Sequence, residues 1–215
     1  MKLILTIFFV ILFKFNHAQC IVPADSAVIT SMILKLDSNE FQNKVIPADY
    51  EYSIKKALTY YPELKPNKIK FKFAKIGTTL NARPTVASLL FRRKSKRTYV
   101  VRINNSEKDS MVTLNEVPFF ARIGLFGHEF AHFADYQEKN LFQVIGRLFA
   151  YASKSKKELF EKEIDTKTIE RGLGWRLYAW SYFVQFESDA SEDYKAFKRQ
   201  IYLEPTEIKE LMNQQ

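Results

Sequence analysis

The sequence predicts a single α+β domain in which helices precede a small antiparallel sheet and a helical half follows it. Two patterns indicate this order. Apolar and charged residues alternate over 68–73, as in a half-buried strand, whereas apolar residues recur at helical spacing from Thr113 onward. The chain shows no internal repeat, low-complexity segment or interdomain linker. Residues 19–215 are therefore predicted to form one domain with its own core.

The first 18 residues have the layout of a secretory signal peptide. A short basic start precedes an apolar run over 3–13, and Ala18 lies just before a plausible cleavage point at Gln19. The run is shorter than the roughly 20 apolar residues that a spanning helix needs, and Lys14 ends it. We therefore expect a secreted or periplasmic protein. A retained membrane anchor and lipidation of Cys20 are the alternatives.

The composition is that of a folded, basic protein. Cys20 is the only cysteine, so no internal disulfide can form. The formal net charge of +9 falls to +7 if the signal peptide is removed with Lys2 and Lys14. Such a surface favours anionic partners, although an exported protein seldom meets nucleic acid. The densest basic cluster is predicted to be a solvated hairpin turn, or else a contact for an anionic membrane surface or polymer, and comprises Arg92, Arg93, Lys94, Lys96 and Arg97.

The elements before residue 113 are predicted from caps, breakers and periodicity. Asp25 or Ser26 can cap a first helix that runs through Leu36, and a second helix is expected over 47–62. Strands are expected at 69–73, at Val86 to Phe91 and at Thr98 to Asn104, with the basic cluster joining the last two.

The second half is predicted to be helical. Thr113 to Glu116 reads as a capping box that opens a helix running to about Tyr136, with Pro118 near its first turn. Further helices are expected at 141–152, 157–171, 175–186 and 207–212, and Gly172 and Gly174 should stop the second of these.

The helix over 113–136 carries the motif His-Glu-Phe-Ala-His. Its aromatic and aliphatic residues at spacings of three and four form one apolar stripe, on Phe119, Ile123, Phe126, Phe130 and Phe133. His128 and His132 lie one turn apart on a different face, so both imidazoles can reach one Zn²⁺ ion. No other histidine follows the signal peptide. Glu129 is placed to act as the base for a zinc-activated water.

A catalytic zinc ion needs a third protein ligand, and we expect a carboxylate, since there is no third histidine and Cys20 is far away in sequence. Glu138 lies six residues after His132, but Asp135 stands where a glycine would assist the turn. Glu161 is the better candidate, since it shares a helix face with Asp165 at i, i+4. One of these two carboxylates can bind the metal while the other accepts a hydrogen bond from a ligand imidazole.

These motifs, in this order, resemble the gluzincin metallopeptidases. The nearest likeness is to the group that holds the CAAX prenyl proteases and the HtpX-like heat-shock proteases, and it covers about 113–172. The resemblance implies a zincin-like fold and a zinc-dependent endopeptidase acting on proteins or peptides. It also implies that Glu161 is the third ligand and that Asp165 supports a ligand. This chain reads Glu-Ile-Asp where those proteins commonly have Glu-Ala-Asp, and residues 19–215 lack the spanning helices of the membrane-embedded members.

The predicted reaction is hydrolysis of a peptide bond, with Glu129 taking a proton from water and passing it to the leaving amine. Tyr178 and Arg176 are candidate donors to the transition state, although aromatic residues in that segment are also typical of a core. The competing interpretations are a zinc-binding pseudoenzyme, a hydrolase that does not act on peptides, and a secreted basic binding protein in which the motif is accidental.

Overall fold

The computed structural model describes residues 41–106 and 110–214. The predicted signal peptide, Cys20 and the predicted helix at 25–36 lie outside these residues. Within them, no helix combines the length and the apolar character needed to cross a bilayer. The fold is α+β, with one small sheet and a predominantly helical second half.

The sheet has four strands, and their order is β1-β2-β4-β3. β1 (Lys44–Val45) pairs in parallel with β2 (Lys68–Ala74), which pairs in parallel with β4 (Thr98–Asn104). β3 (Leu80–Pro84) pairs antiparallel with β4 and forms one edge. The prediction of an antiparallel sheet is therefore wrong, because two of the three strand pairs are parallel. The strands predicted at 69–73 and at 98–104 are confirmed.

Two short helices flank the strands. α1 (Glu51–Leu58) follows a 3₁₀ turn and occupies the middle of the helix predicted at 47–62. α2 (Val86–Phe91) is a helix, so the strand predicted there is wrong, and β3 was missed. A six-residue apolar run fits either structure, and the contacts favour the helix. Its Ser88 Oγ accepts a hydrogen bond from the Thr98 N–H at 3.0 Å, which ties α2 to the start of β4.

The helical half contains six helices among the described residues. They are α3 (Phe119–Glu138), α4 (Leu141–Ala150), α5 (Lys154–Thr168), α6 (Gly174–Tyr182), α7 (Glu192–Ile201) and α8 (Pro205–Asn213). α3 begins after Pro118, because the residue before a proline disfavours helical dihedrals. The predicted capping box at Thr113 is a separate turn, in which the Thr113 N–H donates to Glu116. No predicted helix corresponds to α7.

Glycines allow the chain to fold back around α3. Gly172 has φ of 81° in the wide turn between α5 and α6, a conformation that glycine adopts without strain. Gly124 of α3 lies against the backbone of Arg176, so α3 and α6 pack unusually closely. As a result, α5 and α6 are consecutive in the chain and yet both contact α3.

The basic cluster at 92–97 is not a hairpin turn. It links α2 to β4 and contains a short 3₁₀ turn, Lys94–Lys96. Arg97 is only 3% exposed, and its guanidinium donates to the carbonyls of Tyr136 and Lys139. Lys94 donates to the carbonyl of Glu138 at 2.8 Å. These two cations hold the end of α3, whereas Arg92, Arg93 and Lys96 are exposed.

The core positions α3 between the sheet and the other helices. The predicted apolar stripe packs toward the strands: Phe133 stacks on Tyr99 with ring centroids 4.4 Å apart, and Phe126 meets Phe71 edge to face. The histidines of α3 therefore lie away from the sheet and face α5.

Candidate metal centre

Both histidines of the motif are buried on α3. His128 and His132 are 4% and 3% exposed, and their ring centroids are 4.9 Å apart. This is the arrangement expected for residues one helical turn apart.

Glu161 of α5 completes the cluster. One oxygen, Oε2, lies 3.2 Å from His128 Nε2 and 3.2 Å from His132 Nε2. Ligands held about 2.0–2.1 Å from a tetrahedral ion lie about 3.3 Å from one another, so these separations fit a shared ion. The group of two imidazoles and one carboxylate could therefore hold a metal ion. Glu138, the alternative ligand, is exposed at the end of α3 and is not part of the group.

The contacts of the cluster favour positive charge at its centre. His128 Nδ1 lies 2.7 Å from Asp165 Oδ1, and a carboxylate can only accept, so Nδ1 carries a proton. A neutral His128 would then direct the lone pair of Nε2 at the lone pairs of Glu161. Only a proton or a metal ion between them removes that repulsion.

The pKa values of His128 and Glu161 also favour positive charge at this point. Burial lowers the pKa of His128, but Asp165 and Glu161 outweigh it and raise that pKa to about 10. Burial likewise opposes ionisation of Glu161, but the two imidazoles hold its pKa well below its usual range. The cluster thus stabilises positive charge between these atoms, which a bound metal ion would supply.

Neighbouring residues fix the carboxylates. Asp165 Oδ2 accepts a hydrogen bond from the Leu203 N–H at 2.9 Å, so the residue that orients His128 is itself anchored. The Tyr151 hydroxyl donates to Glu161 Oε1 at 2.7 Å, which leaves Oε2 free to face the imidazoles. A hydrogen bond between Asp165 and a histidine of the motif is predicted from the sequence, but no periodicity or spacing points to Tyr151 or to the Leu203 amide.

On the Nδ1 side, packing and not a hydrogen bond orients the second imidazole. His132 Nδ1 is buried and has no hydrogen-bond partner among the described residues. The ring instead meets Phe160 edge to face at 5.2 Å and lies parallel to Tyr136 at 6.1 Å. Aromatic walls therefore restrict its rotation.

Glu129 lies beside the cluster and outside the ligand group. Burial raises its pKa, and the imidazoles of His128 and His132 partly oppose this. Glu129 and His128 together line two cavities, of about 30 Å³ and about 360 Å³. The larger one also contains His132 and Glu161 in its wall, so it gives access to the cluster.

The predicted transition-state donors lie elsewhere. The Arg176 guanidinium lies over the rings of Tyr60 and Phe120, and Tyr178 contacts Trp175. Neither Arg176 nor Tyr178 lines the two cavities at the cluster.

Tyr202 and Lys198, by contrast, line cavities at the cluster. Tyr202 lines both cavities, and its ring lies 5.5 Å from that of His128. Burial and the Glu161 carboxylate hold the pKa of Tyr202 well above its usual value, so its hydroxyl remains a donor. Lys198 Nζ lies 4.3 Å above the Tyr202 ring. The sequence contains no motif around either residue that would have indicated this.

Comparison with known proteins adds no match. No protein-family model, no curated protein and no solved structure matches this chain. The geometry of the cluster is therefore the basis for any functional proposal.

Proposed function

We propose that the protein is a zinc-dependent peptidase in which His128, His132 and Glu161 hold the metal and Glu129 is the general base. The observation that carries this proposal is the single carboxylate oxygen of Glu161, which lies 3.2 Å from both imidazoles. Asp165 fixes His128 in the tautomer that presents Nε2 to the same point.

The donor set favours zinc. Two imidazoles and one carboxylate match the three protein ligands of catalytic zinc sites, which leave one position open. When bound, zinc would supply Lewis acidity, polarising a substrate carbonyl and acidifying water. The larger cavity reaches the cluster and provides room for both reactants.

Glu129 supplies the proton transfer. Burial raises its pKa from that of an ordinary glutamate, which brings the carboxylate closer to the pH at which a general base works best. It takes a proton from the attacking water and delivers it to the leaving amine. Tyr202, with its hydroxyl protonated, is our candidate donor to the developing oxyanion.

The shape of the cavity supports a polypeptide substrate. Successive residues of β3 line it, including Leu80 and Ala82 from one face of the strand and Asn81 and Arg83 from the other. The cavity therefore follows the edge of β3, whose outer side has no neighbouring strand in the described sheet. An extended peptide can pair with such an edge and place a carbonyl beside the cluster.

The alternatives differ in what they predict. A pseudoenzyme or a hydrolase acting on another bond would bind zinc without cutting peptides. A binding protein with an accidental motif would hold no zinc at all, and the convergence of His128, His132 and Glu161 on one point counts against it.

Elemental analysis of the purified protein is the first test. We expect about one zinc per chain, lost in His132→Ala and in Glu161→Ala. Glu158→Gln, a half-exposed position on the same helix as Glu161, is the matched control and should keep the metal. Glu138→Gln should keep it too. A folded wild type without zinc, even after reconstitution, would refute the proposal.

Cleavage of an unfolded protein tests the chemistry. Glu129→Gln should bind zinc like the wild type but lose cleavage of unfolded casein, because the amide cannot accept the proton. If the variant cuts as fast as the wild type, Glu129 is not the base.

We also propose export, on the N-terminal pattern alone. Recovery of the protein from a secreted or periplasmic fraction with Gln19 as its first residue would support signal-peptide cleavage.

A further inference from the structure

Five cations lie on the face of the sheet that points away from the core. The register pairs Lys70 with Val100 and Lys72 with Arg102, and it pairs Arg83 with Val100. Because side chains alternate along a strand, these residues share one face, opposite that of the buried Ile69, Tyr99 and Val101. We call this the basic face, formed by Lys68, Lys70, Lys72, Arg83 and Arg102.

The basic face has no acidic counterpart among the described residues. β2, β3 and β4 contain no Asp or Glu, and the ion pairs of the described chain involve none of the five cations. Arg102 donates only to the neutral Asn81 side chain.

The arrangement costs stability. Lys72 and Arg102 are direct neighbours on adjacent strands, and like charges in that position repel. Burial lowers the pKa of Arg102, and repulsion by Arg83 lowers it further. A fold optimised for stability alone would place an acid at one of these positions.

The basic face continues into the cavity at the metal cluster. A groove of about 250 Å³ on the sheet is lined by Lys70, Lys72, Arg83 and Arg102. The two arginines also line the cavity that contains His128 and Glu129. A polypeptide bound along the edge of β3 would thus contact both places at once.

We propose that the basic face binds an acidic segment of the substrate polypeptide, so that this peptidase prefers bonds flanked by Asp or Glu. The inference rests on the proposed function and adds the substrate class to it. An acidic polypeptide fits better than an anionic lipid surface, because Arg83 and Arg102 face the same cavity as the reacting groups. Electrostatic complementarity of this kind selects partners and accelerates their association.

The test is binding of a fluorescein-labelled, glutamate-rich peptide and of its glutamine counterpart, measured by fluorescence anisotropy on zinc-loaded Glu129→Gln protein. We expect the glutamate peptide to bind more tightly than the glutamine peptide. Its affinity should fall as the salt concentration rises above about 0.1 M, where the screening length is about 10 Å. The variant Lys72→Glu/Arg83→Glu reverses two exposed charges and should weaken binding about tenfold or more.

The control variant is Lys156→Glu/Lys209→Glu, which makes the same change in net charge at exposed helical positions. Its affinity for the glutamate peptide should stay within about twofold of that of the protein without charge reversals, at the same salt concentration. Lys72→Glu places an opposite charge beside Arg102, so thermal stability should be kept or raised, and weak binding cannot then be attributed to unfolding.

Several outcomes would overturn the inference. Equal affinity for the two peptides would do so, as would equal losses in the two double variants. Binding to phosphatidylcholine vesicles only when they contain phosphatidylglycerol, without binding of the glutamate peptide, would assign the face to a lipid surface instead. Zinc-dependent casein cleavage without a preference for acidic peptides would refute this inference alone. Glutamate-peptide binding by a protein that holds no zinc would refute the proposed function alone.

Discussion

Replacing Asp165 by asparagine tests how the cluster is held. In the folded protein one carboxylate oxygen accepts from His128 Nδ1–H and the other accepts from the Leu203 N–H. An asparagine has one acceptor oxygen and one NH₂ donor. Whichever way the amide is turned, its NH₂ group therefore faces one of these two N–H groups.

The effect of the substitution depends on which of the two hydrogen bonds is lost. If the NH₂ group faces Leu203, a buried donor is left unsatisfied, which costs about 1–3 kcal/mol. If it faces His128, the imidazole must move its proton to Nε2, the atom that we assign to the metal. Loss of such a supporting contact typically lowers metal affinity 10–100-fold, or about 1.4–2.7 kcal/mol.

The assay is zinc affinity by competition with a chromophoric chelator, combined with thermal unfolding with and without zinc. We expect Asp165→Asn to bind zinc 10–100-fold more weakly and to gain less thermal stability from it. Asp135→Asn is the control, since Asp135 is equally buried but bonds to Lys139 and Lys167 and not to a ligand. Unchanged zinc affinity in a folded Asp165→Asn protein would refute the assignment of Nε2 to the metal.

Three further predictions concern stability and the third ligand. Gly124→Ala should destabilise the folded protein by about 3 kcal/mol or more, because the added Cβ would overlap the backbone of α6. Gly146→Ala has open space around it and should stabilise the folded protein by about 0.5–1 kcal/mol. Chemical denaturation measures both changes. Burial opposes ionisation of Asp135, but its cationic partners lower its pKa below the unfolded value of about 3.9. Its ionised form therefore stabilises the fold above that pH, and this stability is lost as the pH falls through the folded pKa. Asp135→Asn should be about 2 kcal/mol less stable than the wild type at pH 7. In thermal scans below pH 4, the variant should lose less stability with falling pH than the wild type does. Tyr151→Phe removes the hydrogen bond to Glu161 and should weaken zinc binding about tenfold in the chelator competition, and an unchanged affinity would mean that packing alone holds the carboxylate.

The grouping of two histidines and a carboxylate was predictable in part, because the spacing within each helix is local. Helical periodicity alone places His128 beside His132, and it places Glu161 on one face with Asp165. The sequence could not show that these two helices meet, but a catalytic metal's need for a third ligand restricted the choice to a few carboxylates. The structure brings Glu161 to the histidines and leaves Glu138 exposed.

The errors arose where tertiary contacts decide local structure. The apolar run at 86–91 satisfies a strand pattern, but Ser88 binds the start of β4 and the run forms a helix. Strand direction was also beyond a local pattern, because parallel pairing of β2 with β4 depends on how the intervening chain crosses over. Arg97 looked like part of a solvated turn, and only the carbonyls at the end of α3 explain its burial.

The bond from the Leu203 N–H to Asp165 has a consequence for newly made chains. Synthesis proceeds from the N-terminus, so α3 and α5 are complete before residues 202 and 203 exist. Until then Asp165 lacks its anchor, and the cavities beside Glu129 lack the wall that Tyr202 provides. A chain that ends before residue 202 therefore contains His128, His132 and Glu161 but lacks both the anchor of Asp165 and the Tyr202 wall.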